Sequence, residues 1–307
     1  VSPDWSNHFA AGSRESSQTM VPILIYAIPF FVGLLVVEFV SFAHAGEEQL
    51  AGLVGYESRD TRTSLTMGLG RVIIDLALKV AIVAGYAALY ELSPLRLHPG
   101  TWWFWPLLFV ADDFSYYWYH RLHHVCRVFW ATHVVHHSSE HYNLSTALRQ
   151  PWISISTFPF WMWMPLVGFP VWTVLLAQSW NLIYQFWIHT ERITRLPRWY
   201  EAVFNTPSHH RVHHGANQQY LDRNYGGELI IWDRIFGSFE PESERVRYGL
   251  TTNIGTFNPV RVNFHEYVAI WRDLRRAHSW RDRVSIMFRG PGWRPSATSG
   301  MSERSGR

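Results

Sequence analysis

Cysteine and lysine are nearly missing from this chain, which has one of each, Cys126 and Lys79, among 307 residues. A single cysteine excludes an internal disulfide and suits a reducing compartment. It also disfavours a structural zinc site built from several thiolates. Cys126 adjoins a histidine cluster, so it is read either as a soft metal ligand or, more simply, as a packed thiol. The arginines that carry nearly all the positive charge flank apolar segments, which does not favour nucleic-acid binding.

Long apolar runs cover residues 21–42, 72–90, 101–119 and 152–188. A helix of about 20 residues crosses the roughly 30 Å core of a bilayer. The fourth run is long enough for two passes that turn near Gly168. We therefore expect an all-α, polytopic membrane helical bundle with about five crossings. Run 21–42 lacks the basic region and cleavage pattern of a signal peptide, which favours a retained helix.

Histidine is abundant, and twelve of the seventeen lie between His120 and His214. Neutral imidazole is the commonest protein ligand for a transition metal. Spacings of three and four residues bring side chains onto one face of a helix. The pattern predicts eight metal ligands in three clusters at residues 120–124, 133–137 and 209–214: His120, His124, His133, His136, His137, His210, His213 and His214. His189, at the end of the fourth apolar run, is the ninth candidate.

Nine nitrogens are enough for two metal ions with four or five ligands each. A structural zinc site needs only four, and haem held by two histidines calls for isolated residues deep within helices. His123, His141 and His209 break the spacing pattern and are read as supporting or ordinary residues.

The order of the apolar runs predicts that all the clusters share one membrane face. From His189 onward the chain has 18 arginines against 12 acidic residues. Positive charge near membrane segments favours the cytoplasmic side, so we expect an integral membrane protein with a cytoplasmic histidine-rich metal-binding cap. The same arginines suit acidic lipid headgroups.

We expect a single membrane-embedded domain at residues 21–290, without internal repeats. Residues 1–20 are polar and are expected to be mobile, and residues 291–307 to be a disordered tail. A peripheral helix is expected near residues 264–288.

The histidine spacings resemble those of the fatty acid hydroxylase/sterol desaturase superfamily of membrane di-iron enzymes. Longer strings are similar to its alkylglycerol monooxygenase branch: HHSSEHYNLSTALRQ at 136–150, QFWIHTE at 185–191, FNTPSHHRVHHG at 204–215 and NYGGELIIWDRIFGSFEPE at 224–242. The resemblance runs from residue 55 to residue 290, approximately. It implies a membrane bundle with a metal-bearing cap and O2-dependent hydroxylation or desaturation of a lipid.

The resemblance also implies two iron ions as the cofactor, with zinc as a replacement in purified samples. For the alkylglycerol branch it implies cleavage of an ether lipid with tetrahydrobiopterin as reductant. Two departures from the family pattern weigh against assigning the activity of that branch directly to this chain. Val125 stands where that branch has an acidic residue, and Gln185 stands where related hydroxylases have a histidine. The sequence shows no fused haem or flavin domain, so electrons are expected from a separate donor protein or a small reductant.

Five polar residues are candidates for orienting the metal ligands or a lipid headgroup: Gln185, Asp113, Asn143, Arg149 and Asn205. A hydrogen bond to a ligand histidine and a charge pair with arginine are both open for Asp113. Capping and turn roles are open for the two asparagines.

Two other functions stay open at this point. One is desaturation or hydroxylation of a sterol, a fatty acyl chain or an aminolipid. The other is a non-catalytic membrane protein that binds or transports metal, which requires ionisable groups along a path within the bilayer. The apolar runs and their borders offer few: Glu38, Asp75, Lys79, Asp112 and Asp113.

Overall fold

The structure, a computed structural model, describes residues 22–294. The segment 1–20 and residues 295–307 of the expected tail lie outside this range. Within it the chain forms α-helices and short 3-10 turns without a β-strand, which confirms the all-α prediction. The α-helices are α1 Pro22–His44, α2 Glu47–Leu50, α3 Ser58–Leu92, α4 Phe104–Val125, α5 Arg127–His137, α6 Phe158–Trp161, α7 Trp163–Leu166, α8 Val171–Trp187, α9 Arg198–Val203, α10 Pro207–His213, α11 Ile231–Ile235, α12 Pro259–Arg276 and α13 Trp280–Phe288.

Helices α1 and α3 are long and apolar enough to cross a membrane. In each, only 6% of the most apolar window is buried within the protein. Large exposed apolar faces are rare on proteins that live in water and are expected where a helix contacts lipid. Helix α3 begins where the Glu57 carboxylate accepts the Asp60 backbone N–H at 2.7 Å and ends before Ser93 and Pro94. Both ends therefore follow ordinary capping rules.

The apolar run 152–188 is built from two unlike halves. Helix α8 is continuous, whereas the first half contains only a 3-10 turn and the short helices α6 and α7. This irregular half nevertheless follows α3 along its length. Trp152 donates to the Met67 carbonyl at 3.1 Å, and the Gly168 carbonyl accepts from the Leu97 N–H at 2.9 Å, beyond the far end of α3. The chain therefore travels from one end of the bundle to the other between Trp152 and Gly168.

A buried ion pair ties α3 to the segment that follows α5. An Arg149 guanidinium nitrogen lies 2.6 Å from Asp60 Oδ1, and both residues are at most 3% exposed. The Ser139 hydroxyl donates to the second Asp60 oxygen at 2.5 Å. Helix α5 carries a histidine cluster, so this pair anchors that cluster to the start of a long apolar helix.

A region where the sequence predicts one peripheral helix contains two, α12 and α13. The break falls at residues 277–279, where the Ser279 hydroxyl accepts the Asp282 N–H at 3.0 Å. A serine cap of this kind starts a new helix.

Loss of the buried Asp60–Arg149 pair is expected to destabilise the bundle. Arg149→Ala leaves a buried carboxylate without its partner, which typically costs about 3–5 kcal/mol. The measurement is the midpoint of chemical denaturation of the protein in detergent micelles. The double variant Asp60→Asn, Arg149→Met removes both charges and should lose less. An unchanged midpoint for Arg149→Ala would show that the pair contributes nothing.

Candidate metal centre

Nine buried histidines form two adjoining groups, and they are the nine candidates chosen from the sequence. The first group contains five residues: His120, His124, His133, His137 and His213. The second contains four: His136, His189, His210 and His214. Within each group the nearest ring nitrogens all lie within 4.8 Å of one another.

Neighbouring histidines on one helix are divided between the two groups. On α5, His133 and His137 face the first group while His136 faces the second. The third cluster divides in the same way, with His213 in the first group and His210 and His214 in the second. Positions three and four apart lie on one helix face, so a cluster of this spacing can serve two adjacent sites.

Backbone carbonyls fix the orientation of three of these rings. The Nδ1 atoms of His120, His189 and His213 lie 2.7–2.9 Å from carbonyl oxygens. These carbonyls belong to Tyr225, Gln185 and Arg223, in that order. A carbonyl only accepts, so each Nδ1 carries the proton and each Nε2 keeps a free lone pair. This is the tautomer of a metal-binding histidine.

The Nε2 atoms approach one another at ligand-like distances. His120 Nε2 lies 2.8 Å from His133 Nε2, and His189 Nε2 lies 2.9 Å from His210 Nε2. Ligands bound at right angles, 2.0–2.1 Å from one metal, lie about 3 Å apart.

Five ring nitrogens of these nine histidines are buried without a hydrogen-bond partner among residues 22–294: the Nε2 atoms of His124, His213 and His214 and the Nδ1 atoms of His136 and His210. An unsatisfied buried polar atom costs about 1–3 kcal/mol, and a metal ion would supply the missing partner. The donor set therefore fits metals that favour imidazole, such as iron, zinc and copper.

Burial keeps these histidines in the neutral form that a metal needs. It lowers the pKa of His133, His137 and His213 well below the ordinary value, and repulsion by neighbouring histidines lowers it further. The same causes, burial first, lower the pKa of His136, His210 and His214.

The three histidines that broke the spacing pattern lie outside both groups. Both ring nitrogens of His123 are hydrogen-bonded: Nδ1 lies 2.7 Å from the Tyr119 carbonyl oxygen, and Nε2 lies 3.0 Å from the Ser156 hydroxyl. His141 and His209 contribute no atom to either group.

Gln185 is linked to both groups. Its side-chain oxygen accepts from the Tyr116 hydroxyl at 2.6 Å, and the Tyr116 ring lies 5.2 Å from the His120 ring. Its amide donates to Asn181, and its backbone carbonyl accepts from His189. The side chain thus binds Tyr116, which packs against His120 of the first group, while the backbone holds His189 of the second.

Two of the other polar candidates, Asp113 and Asn205, bind the backbone near the histidines. Asp113 accepts the backbone N–H groups of Glu228 at 2.8 Å and Leu229 at 3.1 Å, and Trp232 Nε1 at 2.9 Å. Asn205 donates to the carbonyls of residues 226 and 227. Both residues therefore fix the loop next to the Tyr225 carbonyl that binds His120.

Asn143 and Arg149 lie near the start of α3. Asn143 caps the 3-10 turn Leu144–Leu148 and donates to the Gly55 carbonyl at 2.8 Å. Arg149 pairs with Asp60. None of the side-chain hydrogen bonds of these two residues reaches a histidine.

The structure adds two acidic residues that sequence reasoning missed. Asp222 Oδ1 lies 3.7 Å from His124 Nδ1. Asp233 accepts the backbone N–H groups of Tyr225 and Gly226 at 2.8 and 2.7 Å. Asp222 has a positive φ of 58°, a conformation that aspartate and asparagine adopt more readily than most residues. Its position in a polar turn after the third cluster was the available signal.

The sequence model of the fatty acid hydroxylase family matches residues 105–238, a range that holds all nine histidines. This part of the chain is similar to a fatty acid hydroxylase domain. No solved structure shows a significant match to the chain.

Alkylglycerol monooxygenases are similar to this chain along most of its length. The human protein is 41% identical over 300 residues, which are 95% of this chain and 65% of the relative. The Xenopus tropicalis protein is 42% identical over 269 residues, 87% of this chain and 58% of the relative. The chain thus spans less than two thirds of the length of either. An ornithine lipid hydroxylase of Rhizobium tropici is 26% identical over 167 residues, 49% of this chain and 48% of the relative.

The loop held by Asp113 is expected to control metal affinity. Asp113→Asn places an amide NH2 among three N–H donors, which should displace the loop and with it the carbonyl on His120. Changes in groups that orient metal ligands typically cost 10–100-fold in affinity, so we expect a loss of at least about tenfold. Competition with a chelator measures it. Asp282→Asn, far along the chain in α13, is the control and should bind metal normally. Equal affinity of the two variants would contradict the role of the loop.

Proposed function

We propose that this chain is a membrane di-iron monooxygenase that hydroxylates a lipid with O2. The observation that carries the proposal is the pair of adjoining histidine groups, five and four residues, all buried. A structural site is closed by four ligands, so two groups of this size exceed what stability needs. The fatty acid hydroxylase match and the similarity to alkylglycerol monooxygenases support the same function.

In this proposal each group binds one iron ion, through the nine histidines named above. Zinc has the same preference for imidazole and is expected in some purified samples. Bound iron would supply the reduction and cleavage of O2. The protein supplies ring orientation, through the carbonyls of Tyr225, Gln185 and Arg223, and a buried setting that keeps the ligands neutral.

The overall reaction takes up one lipid C–H bond, one O2, two electrons and two protons, and yields an alcohol and one water. If the carbon next to an ether oxygen is hydroxylated, the product is a hemiacetal that separates into an aldehyde and a glycerol. An alkylglycerol is the preferred substrate because the relatives that share most of this chain are alkylglycerol monooxygenases. The electrons come from a separate donor protein or a small reductant, and tetrahydrobiopterin is one candidate.

Another lipid is the second candidate substrate. The match to an ornithine lipid hydroxylase extends over about half of this chain and favours an aminolipid as the alternative. A desaturation of a sterol or fatty acyl chain has less support, because the long matches are to monooxygenases.

The proposed placement has five crossings with both histidine groups on the cytoplasmic side. It is supported by the path of the chain, in which α1, α3, α4, residues 152–168 and α8 run in alternating directions. The arginine excess after His189 favours that side as cytoplasmic. We propose one hydroxylase domain at residues 21–290, because α1 is bonded to the cap through Glu38, which accepts the Leu144 N–H at 2.8 Å.

A metal-transport role is disfavoured because the acidic groups named above for the apolar runs, such as Asp75 and Asp113, are engaged by the protein. Asp75 accepts from Arg71 at 2.5 Å and from Ser154 at 2.8 Å, and Asp113 is fully used by the loop at 228–229. A transport path needs such groups to face a cavity.

Removal of one histidine from each group is the test of the ligand assignment. His137→Ala and His214→Ala should each lower bound metal by about one ion per chain and abolish turnover, because each opens one of two sites. His123→Ala is the matched control, since His123 lies in the first cluster but outside both groups. The readout is metal analysis of the purified protein. Full metal content in either variant would contradict the assignment of that histidine as a metal ligand.

The substrate is tested with a membrane preparation that contains the protein, O2 and a reductant. We expect an alkylglycerol to yield a fatty aldehyde and free glycerol, with loss of the ether bond. An ornithine lipid supplied in parallel should be converted at least about tenfold more slowly, a difference of about 1.4 kcal/mol in activation free energy. If the ornithine lipid is hydroxylated and the ether lipid is not cleaved, the ornithine lipid replaces the alkylglycerol as the proposed substrate.

A further inference from the structure

Helices α12 and α13 carry apolar stripes that no other described part of the chain covers. On α12 the exposed residues Val260, Phe264, Val268 and Trp271 follow a spacing of four, four and three. On α13 the exposed residues Trp280, Val284 and Phe288 are spaced by four. Such spacing places each set on one side of its helix. Trp271 and Trp280 are 64% and 76% exposed, which is costly in water.

The opposite face of α12 is fixed to the metal-bearing cap. Arg127, at the start of α5, is 2% exposed and donates to Glu266 and Asp273 of α12, both at 2.7 Å. The hydroxyls of Thr132 and Tyr267 are 2.8 Å apart. The cap-facing side therefore uses the acidic residues of α12 and leaves the apolar stripe facing outward.

The arginines of these helices remain exposed beside the stripes. Residues 259–289 contain seven arginines against three acidic residues. Two of the acids pair with Arg127, and the third, Asp282, is engaged at the start of α13 by Ser279. The free positive charge on Arg272, Arg275 and Arg276 is therefore available to an acidic partner.

The start of α12 lies at the depth where α3 becomes exposed and apolar. The Thr63 hydroxyl donates to the Phe257 carbonyl at 2.8 Å, and the Trp152 N–H donates to Asn263 at 2.9 Å. Trp152 also donates to the Met67 carbonyl of α3. Just beyond this level α3 presents exposed leucines at positions 65 and 69. The stripes thus begin where the proposed membrane segment begins.

We propose that α12 and α13 lie flat on the acidic surface of the membrane, with their apolar stripes among the acyl chains and their arginines at the lipid phosphates. An exposed apolar face, flanking arginines and interfacial tryptophans are the features of such helices. Because Arg127 joins α12 to the helix that carries His133, His136 and His137, this contact sets the height of the histidine groups above the bilayer. The inference rests on the proposed membrane placement and not on the di-iron chemistry.

The test uses a fluorescent label at Val268→Cys in a Cys126→Ser background, with the full chain reconstituted in vesicles that contain phosphatidylserine. A lipid-borne quencher should quench this label at least about threefold more strongly than a label at Gln218→Cys, an exposed position of the cap. Iodide in the water should show the reverse order. Metal analysis of each labelled protein separates misfolding of the cap from a true surface effect.

The outcomes are distinct. Strong iodide quenching at position 268 means that the stripe faces water and overturns the proposal. Protection from both quenchers means that a second copy or another protein covers the stripe, which also overturns it. Replacing phosphatidylserine with neutral lipid should weaken the lipid quenching, and the variant Arg272→Gln, Arg275→Gln, Arg276→Gln should lose this dependence. A variant that keeps it would contradict the role of the arginines.

Discussion

The convergence of imidazole nitrogens in a buried space is the constraint on which the rest of the structure depends. Nitrogens 2.8–2.9 Å apart, such as those of His120 and His133 or His189 and His210, need a proton or a metal ion between them, and a neutral ring has only one proton to supply. Burial disfavours added protons, as the lowered pKa values of His133 and His210 show. In the proposed function, a metal ion in each group takes the place of such protons. Backbone carbonyls hold the Nδ1 atoms of His120, His189 and His213 and so present the Nε2 atom of each of these rings.

The long helices provide the fixed framework that the two histidine groups require. Each histidine group draws residues from distant parts of the chain, so the elements that carry them must be held in fixed relation. The Asp60–Arg149 pair fixes the segment after α5 to α3, Asp113 fixes the 225–229 loop to α4, and Arg127 fixes α12 to α5. Each tie joins a site-bearing element to a helix whose own position is set by apolar contacts. In the proposed function, the same ties relate the metal centre to the membrane where the lipid lies.

The sequence is enough to identify the histidine pairs, but it does not identify the residues that orient them. Spacings of three and four residues are local, so eight of the nine candidates follow from spacing alone, and His189 follows from its place at the end of an apolar run. The partner of His120 is the Tyr225 carbonyl, 105 residues away, and a backbone group leaves no signature in sequence. The side chain of Gln185 is a candidate for orienting the ligands, but its backbone carbonyl is what contacts His189. Apolar length alone did not reveal that residues 152–168 traverse the bundle as irregular structure.

Anomalous diffraction at the iron edge from crystals of the iron-loaded protein tests the central claim most directly. The account predicts two separate peaks, one surrounded by His120, His124, His133, His137 and His213 and the other by His136, His189, His210 and His214. Both peaks should lose intensity when data are collected below the edge. A single peak, or two peaks that lie outside these groups, would contradict the account.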